Sequence, residues 1–126
     1  MVIEIEQDND ICILRIHGRL AAGEDEEYLR KNSLAVKLTG CPKLLVDASE
    51  LHSIGSSGIG FLVDLYTSVS KQTNGRFVLA APSPRVAEVL AVTGLATIIP
   101  IRSNVALGIE FLTVGENKAA GSGSGH

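Results

Sequence analysis

Lys43-Leu44-Leu45-Val46-Asp47-Ala48-Ser49-Glu50-Leu51-His52-Ser53-Ile54-Gly55-Ser56-Ser57-Gly58-Ile59-Gly60 is the stretch that decides the architecture. Its first six residues are an apolar run without alternation, the pattern of a strand covered on both faces. A strand of that kind implies a sheet with parallel neighbours. The run gives way to a polar loop, and from Ser56 or Ser57 the period changes. Ile59, Leu62, Val63, Tyr66 and Val69 recur at spacings of three and four, which predicts a helix ending near Asn74-Gly75.

Upstream, Val2, Ile3 and Ile5 lead into Asp8-Asn9-Asp10, and Ile11 to Ile16 is apolar apart from Arg15, so the start reads as a hairpin. A helix is expected from Glu24 to Leu38, with acidic Glu24 to Glu27 at its positive end, Lys37 near its negative end and Gly40 as its stop. Tyr28, Leu29, Ala35, Val36 and Leu38 would form its apolar stripe. Downstream, Arg76 to Ala80 is a second short apolar strand. Pro82-Ser83-Pro84 then opens a helix carrying Val86, Val89 and Leu90, closed by Thr93-Gly94. Ile98 to Ile101 reads as a last strand, and Ser103 as the cap of a final helix. The expected fold is α/β, one domain with a mixed β-sheet and helices in the order β-β-α-β-α-β-α-β-α. Right-handed crossovers would join its parallel strands.

The 126 residues suit one domain, here 1-118, and the Gly/Ser-rich stretch 119-126 reads as a linker and tag remnant. Hydrophobic residues at 45% and charged residues at 20% are those of a packed globular chain. Eleven Lys and Arg against fourteen Asp and Glu give a formal charge of -3, so no general electrostatic pull toward nucleic acid or an anionic membrane is expected. Aromatics at 4%, without Trp, remove the usual stacking platforms for single strands. Two cysteines, Cys12 and Cys41, form no disulfide framework, which suits a cytoplasmic setting. The N-terminus lacks a signal-peptide pattern, and no apolar run reaches the ~18 residues of a membrane span.

The chemistry is concentrated where the central loop meets its helix. Unpaired N–H groups and a partial positive charge there let a serine hydroxyl either cap the helix or carry a phosphate. Gly58 and Gly60 cost helix propensity, which makes sense where another surface must approach closely. Known catalytic motifs fail on spacing. Phe61-Leu62 follows Gly60 where a P-loop needs Lys then Ser or Thr, Val63 stands where a dinucleotide fingerprint needs glycine, and Ile59 stands where a nucleophile elbow needs one. His17 and His52 have no zinc-type spacing with the cysteines, so no metal and no cofactor is expected.

The string Asp47-x-Ser49 through Ile54-Gly55-Ser56-Ser57-Gly58-Ile59-Gly60 resembles the signature of STAS domains, in particular bacterial anti-sigma factor antagonists. Pro82-Ser83-Pro84-Arg85-Val86, Thr93-Gly94-Leu95 and the element order from Val2 to Leu112 are similar to that family as well. The resemblance implies a protein that is not an enzyme, binds an anti-sigma factor and so frees the sigma factor for transcription. It further implies that the partner is commonly a serine kinase, that Ser56 is the phosphoacceptor, and that a phosphatase reverses the modification. Two positions depart from the family: Gly55 replaces the acidic residue usual before the serine, and Ala21 an aspartate after Gly18-Arg19-Leu20.

The helix is apolar nearly all round in its first two turns, so part of it is expected to serve as a docking face formed by Ser57, Gly58, Ile59, Phe61 and Leu62. Asp47 and Ser49 could touch a partner or bond the amides of their own loop. His52 reads as a solvated loop residue and Cys12 as core. A constitutive scaffold or regulatory subunit, with Ser56 only a cap, and a nucleotide-binding module are the rival readings from other functional classes.

Overall fold

The computed structural model describes residues 2–20 and 26–121, with side chains as far as Thr113. Two strands, β1 (Val2–Asp8) and β2 (Ile11–Leu20), form the expected hairpin, and Asn9 takes the left-handed conformation (φ 57°) that its tight turn requires. Helix α1 (Glu26–Thr39) follows; the expected start at Glu24 lies outside the described residues. Gly40, at φ 71°, ends it, and the Gly40 N–H donates to the Lys37 carbonyl at 3.3 Å.

Next come β3 (Lys43–Asp47), every residue of which is buried, and β4 (Leu51–Ile54), a strand absent from the expected order. Helix α2 (Ser56–Ser70) begins where expected but ends ahead of the expected Asn74-Gly75, and β5 (Arg76–Ala80) and α3 (Pro84–Val92) fall where the sequence places them. The Ser83 hydroxyl caps α3 by accepting from the Val86 N–H at 3.3 Å.

The last strand is displaced. Leu95–Thr97 folds as a 3-10 turn, Ile98 points outward at 58% exposure, and β6 is the two-residue Ile101–Arg102. Helix α4 (Val105–Gly121) is capped by Asn104 rather than Ser103: Asn104 Oδ1 accepts the Leu107 N–H at 2.8 Å.

The sheet runs β1-β2-β3-β5-β6, with β1 antiparallel and the other pairings parallel. Strand β2 serves two parallel neighbours in succession. Ile11 to Arg15 pair with β3, and from Gly18, opposite Leu51, the strand continues against β4, with an irregularity between Gly18 and Arg19 that brings Leu20 opposite Ile54.

Alternation sends Cys12, Leu14, Leu44, Val46, Phe77 and Leu79 into a core shared with α1, α2 and α3. Ile13, Leu45, Val78 and Ala80 face α4 through Leu112. Gly108 lets α4 lie close to the sheet, since a Cβ there would stand 2.8 Å from Leu45 Cδ1. The stripe of α1 differs from the expected one: Leu29, Ser33 and Val36 are buried, whereas Leu38 is 78% exposed and Tyr28 turns its hydroxyl to accept the Ile3 N–H at 2.9 Å. Lys43 is buried at the start of β3, and its charge is met by Asp10 in the hairpin turn at 2.9 Å.

Candidate functional site

The polar loop after β3 is organised by its own carboxylate. Asp47 is buried, its Oδ1 accepts the Ser49 N–H at 3.0 Å, and its Oδ2 lies 3.4 Å from Arg15 Nε on β2. The Leu51 N–H donates to Ala48 O at 3.1 Å, and the Gly18 N–H to Glu50 O at 3.0 Å. Together these bonds fasten the β3–β4 turn to the end of β2. Asp47 therefore holds its own loop, while Ser49 and His52 are exposed.

Strand β4 then delivers the chain into α2 at a fixed point. The N-cap is Gly55, extended at φ -111° and ψ -168°, and it offers no side-chain acceptor. The first helical bond runs from the Ile59 N–H to the Gly55 carbonyl at 3.0 Å. Ser56 is accordingly the first residue of the helix rather than its cap. It is exposed, and no hydrogen bond of its hydroxyl is found among the described residues. That hydroxyl therefore lies at the positive end of the α2 dipole, beside an N-cap that supplies no side-chain acceptor.

The rest of the expected docking set divides. Ser57 and Ile59 are half-buried, and Gly58 is buried. Phe61 (5%) and Leu62 (0%) are core side chains, packed with the residues of the sheet and its covering helices. Helical periodicity alone does not separate the outer from the inner apolar positions of a helix that is apolar nearly all round. The outward positions prove to be Ser56, Gly60, Val63 and Asp64.

Beside this face lies a groove of about 430 Å³ between α1 and α2, into which Leu29, Leu34, Ser57, Gly60 and Phe61 all open. Asp64 closes its far end and ties the helices together: Ser33 Oγ donates to Asp64 Oδ2 at 2.5 Å, and Lys37 Nζ is 3.1 Å from the same oxygen. Burial pushes the Asp64 carboxyl up, but the Ser33 and Lys37 donors outweigh it and hold the group below the usual carboxylate value. This link joins residues 31 positions apart; the lone charge of Asp64 on an apolar helix is its only trace in the sequence.

Among the described residues no cluster of three His, Cys, Asp or Glu side chains could hold a metal ion, and no helix is long and apolar enough to cross a membrane. What the arrangement offers chemically is an accessible hydroxyl on an uncapped helix start, next to a partly apolar surface.

Comparison with known proteins finds a matching family model and relatives. A family model described as the STAS domain matches residues 2–108. A Thermotoga neapolitana protein, named as an anti-sigma factor antagonist and homologue of TM1081, is 35% identical over 85 residues, covering 68% of this chain and 67% of that one. The crystal structure of TM1081 from Thermotoga maritima, also described as an anti-sigma factor antagonist, has a TM-score of 0.78 at 25% identity, covering 87% of this chain and 93% of the other. The phosphorylated form of the Bacillus cell fate determinant SpoIIAA shares the fold, with a TM-score of 0.61 at 20% identity over 79% of this chain and 90% of its own.

Proposed function

The chain belongs to the STAS domain family, and from that premise we propose that it is an anti-sigma factor antagonist, switched off by phosphorylation of Ser56. It binds an anti-sigma factor in a bacterial cytoplasm and thereby frees the sigma factor that this partner would otherwise hold. The partner is a serine kinase that modifies Ser56, and a phosphatase restores the binding form. The protein contributes a surface and a phosphoacceptor, not catalysis.

One observation carries this reading: Ser56 is exposed on the first turn of α2, with glycine in the cap position. A capping serine would be tied into the helix. This one is available to a kinase, and its phosphate would sit at the positive end of the α2 dipole, so the domain can carry the charge without unfolding. Against a docked partner the same group is disruptive. It adds roughly -1.5 to -2 charges, which must be desolvated or must hold the partner off. A mismatch of about 3 to 4 kcal/mol lowers affinity on the order of a hundredfold to a thousandfold. The contact surface comprises Ser57, Gly58 and Ile59 with the outward Gly60 and Val63, while Phe61 and Leu62 support it from beneath.

Incubation with the cognate kinase and ATP, followed by intact-mass measurement, should add one phosphate to wild type and none to Ser56→Ala. Pull-downs with Ser56→Ala and Ser56→Asp should recover the anti-sigma factor with the first and lose it with the second. Equal recovery by both would remove the switch.

A further inference from the structure

Helix α2 is fifteen residues long, which puts its last residue, Ser70, about 21 Å from Ser56. At that far end β5 begins with Arg76. Strand alternation sends Phe77 and Leu79 under α1, α2 and α3, and sends Arg76, Val78 and Ala80 toward α4. The guanidinium carbon of Arg76 lies 4.5 Å from the centre of the Phe111 ring on α4. Arg102, on β6, lies 4.5 Å from the same centre. The register pairs Arg102 with Ala80, so the two arginines reach one ring from positions roughly 13 Å apart along the strands.

Two cations beside one ring call for a counter-charge, and among the described residues neither arginine takes part in an ion pair. Arg102 Nη1 donates to the Ile101 carbonyl at 2.8 Å. The Nε of Arg76 is buried with no hydrogen-bond partner. Arg76 as a residue is only half-buried, and an oxygen acceptor at its guanidinium would make a charge-assisted hydrogen bond. Next to it is a cavity of about 210 Å³ walled by Tyr66, Ser70, Arg76, Phe77, Pro100 and Phe111. That is the volume of about seven waters, room for a tetrahedral oxyanion and part of its hydration.

We infer that this cavity binds a phosphate-type oxyanion, whose oxygens accept from the Arg76 guanidinium and from the Tyr66 and Ser70 hydroxyls, with Arg102 adding positive potential across the Phe111 ring. The planar guanidinium fork suits two phosphate oxygens, and the ring holds it in one orientation before the anion arrives. The site is separate from Ser56 and does not depend on the switch.

Arginine Nε–H groups give their own resonances in ¹H–¹⁵N spectra, so the inference can be read within the guanidinium it concerns. Inorganic phosphate, titrated at constant ionic strength, should shift the Arg76 Nε–H signal saturably, with a Kd on the order of millimolar. Chloride should not. Arg102→Gln should weaken binding several-fold while Arg76 still responds, and Arg76→Lys should weaken it at least tenfold as read from neighbouring backbone amides. No saturable shift up to about 50 mM phosphate, or an equal response to chloride, would overturn the assignment. So would a response to acetate alone, which would make the site a carboxylate site. Wild type and Arg102→Gln decide the matter even if Arg76→Lys fails to fold.

Discussion

Ser56→Asp should move stability and partner binding in opposite directions. The residue begins α2, at the positive end of the helix dipole, and its neighbour Gly55 supplies no capping side chain. A carboxylate there interacts favourably with the helix dipole, typically by 0.3–1 kcal/mol at an exposed site, so about 0.5 kcal/mol is expected. For a domain of this size, with an unfolding entropy of about 0.25 kcal/mol/K, that raises Tm by about 2 °C. In 1 M salt, where the Debye length falls to about 3 Å, the gain should largely disappear. Affinity for the anti-sigma factor should meanwhile fall at least tenfold, less than for phosphate because the added charge is a single unit. Ser56→Ala should stay within about 0.5 kcal/mol of wild type and keep full affinity. Thermal unfolding by circular dichroism and titration calorimetry against the partner provide the two readings. A fall in Tm of more than about 2 °C for Ser56→Asp would mean that the hydroxyl or its surroundings are used structurally, and the account of an open helix start would be wrong.

Removing the α1–α2 link by Asp64→Ala should cost about 2 kcal/mol in urea unfolding, mostly from the buried Ser33 hydroxyl left without its charged acceptor, since the Lys37 pair is exposed. Asp64→Asn, which keeps an acceptor, should lose much less. Asp10, held low chiefly by its hydrogen bond from Lys43, and Asp64 both have folded pKa values below the ordinary one. Their contributions are therefore complete above about pH 4 and decline as pH falls through the lowered folded values, which a urea midpoint measured from pH 7 to pH 3 will show. Leu62→Ala should cost about 2–5 kcal/mol as a core cavity, whereas Val63→Asp should weaken partner binding with a native circular dichroism spectrum. Gly108→Ala should cost about 1–3 kcal/mol because its Cβ meets Leu45, while Gly60→Ala, with nothing within 4 Å of the new methyl, should gain about 0.5–1 kcal/mol.

What could be read in the chain beforehand follows from how each element is buried. Strands β3 and β5 announce themselves because both of their faces are covered, which demands uninterrupted apolar runs. Strand β4 does not: it has four residues, His52 is exposed and Ser53 half-buried, and its pairing comes from β2 across an irregularity that no local pattern signals. The last strand was expected too early because Ile98, Ile99 and Ile101 look like one run, yet the 3-10 turn exposes Ile98 and buries Ile99. At the site, the motif points to Ser56, but the sequence alone leaves cap and phosphoacceptor equally open. The backbone puts Gly55, not Ser56, at the cap position. Phe61 and Leu62 were expected outside and lie inside, because which side of an apolar helix meets the sheet is settled by tertiary packing. The pairing of Arg76 and Arg102 on Phe111 joins three distant positions and leaves no local pattern at all.

The divided loyalty of β2 makes the N-terminal hairpin a mechanical anchor for Ser56. Because one continuous strand grips the interior through β3 and the approach to α2 through β4, a slip of one residue would turn its side chains over and drag the threshold of α2 with it. The hairpin must be in register before Ser56 has a fixed place to stand, so damage at the very start of the polypeptide would displace a serine dozens of residues away.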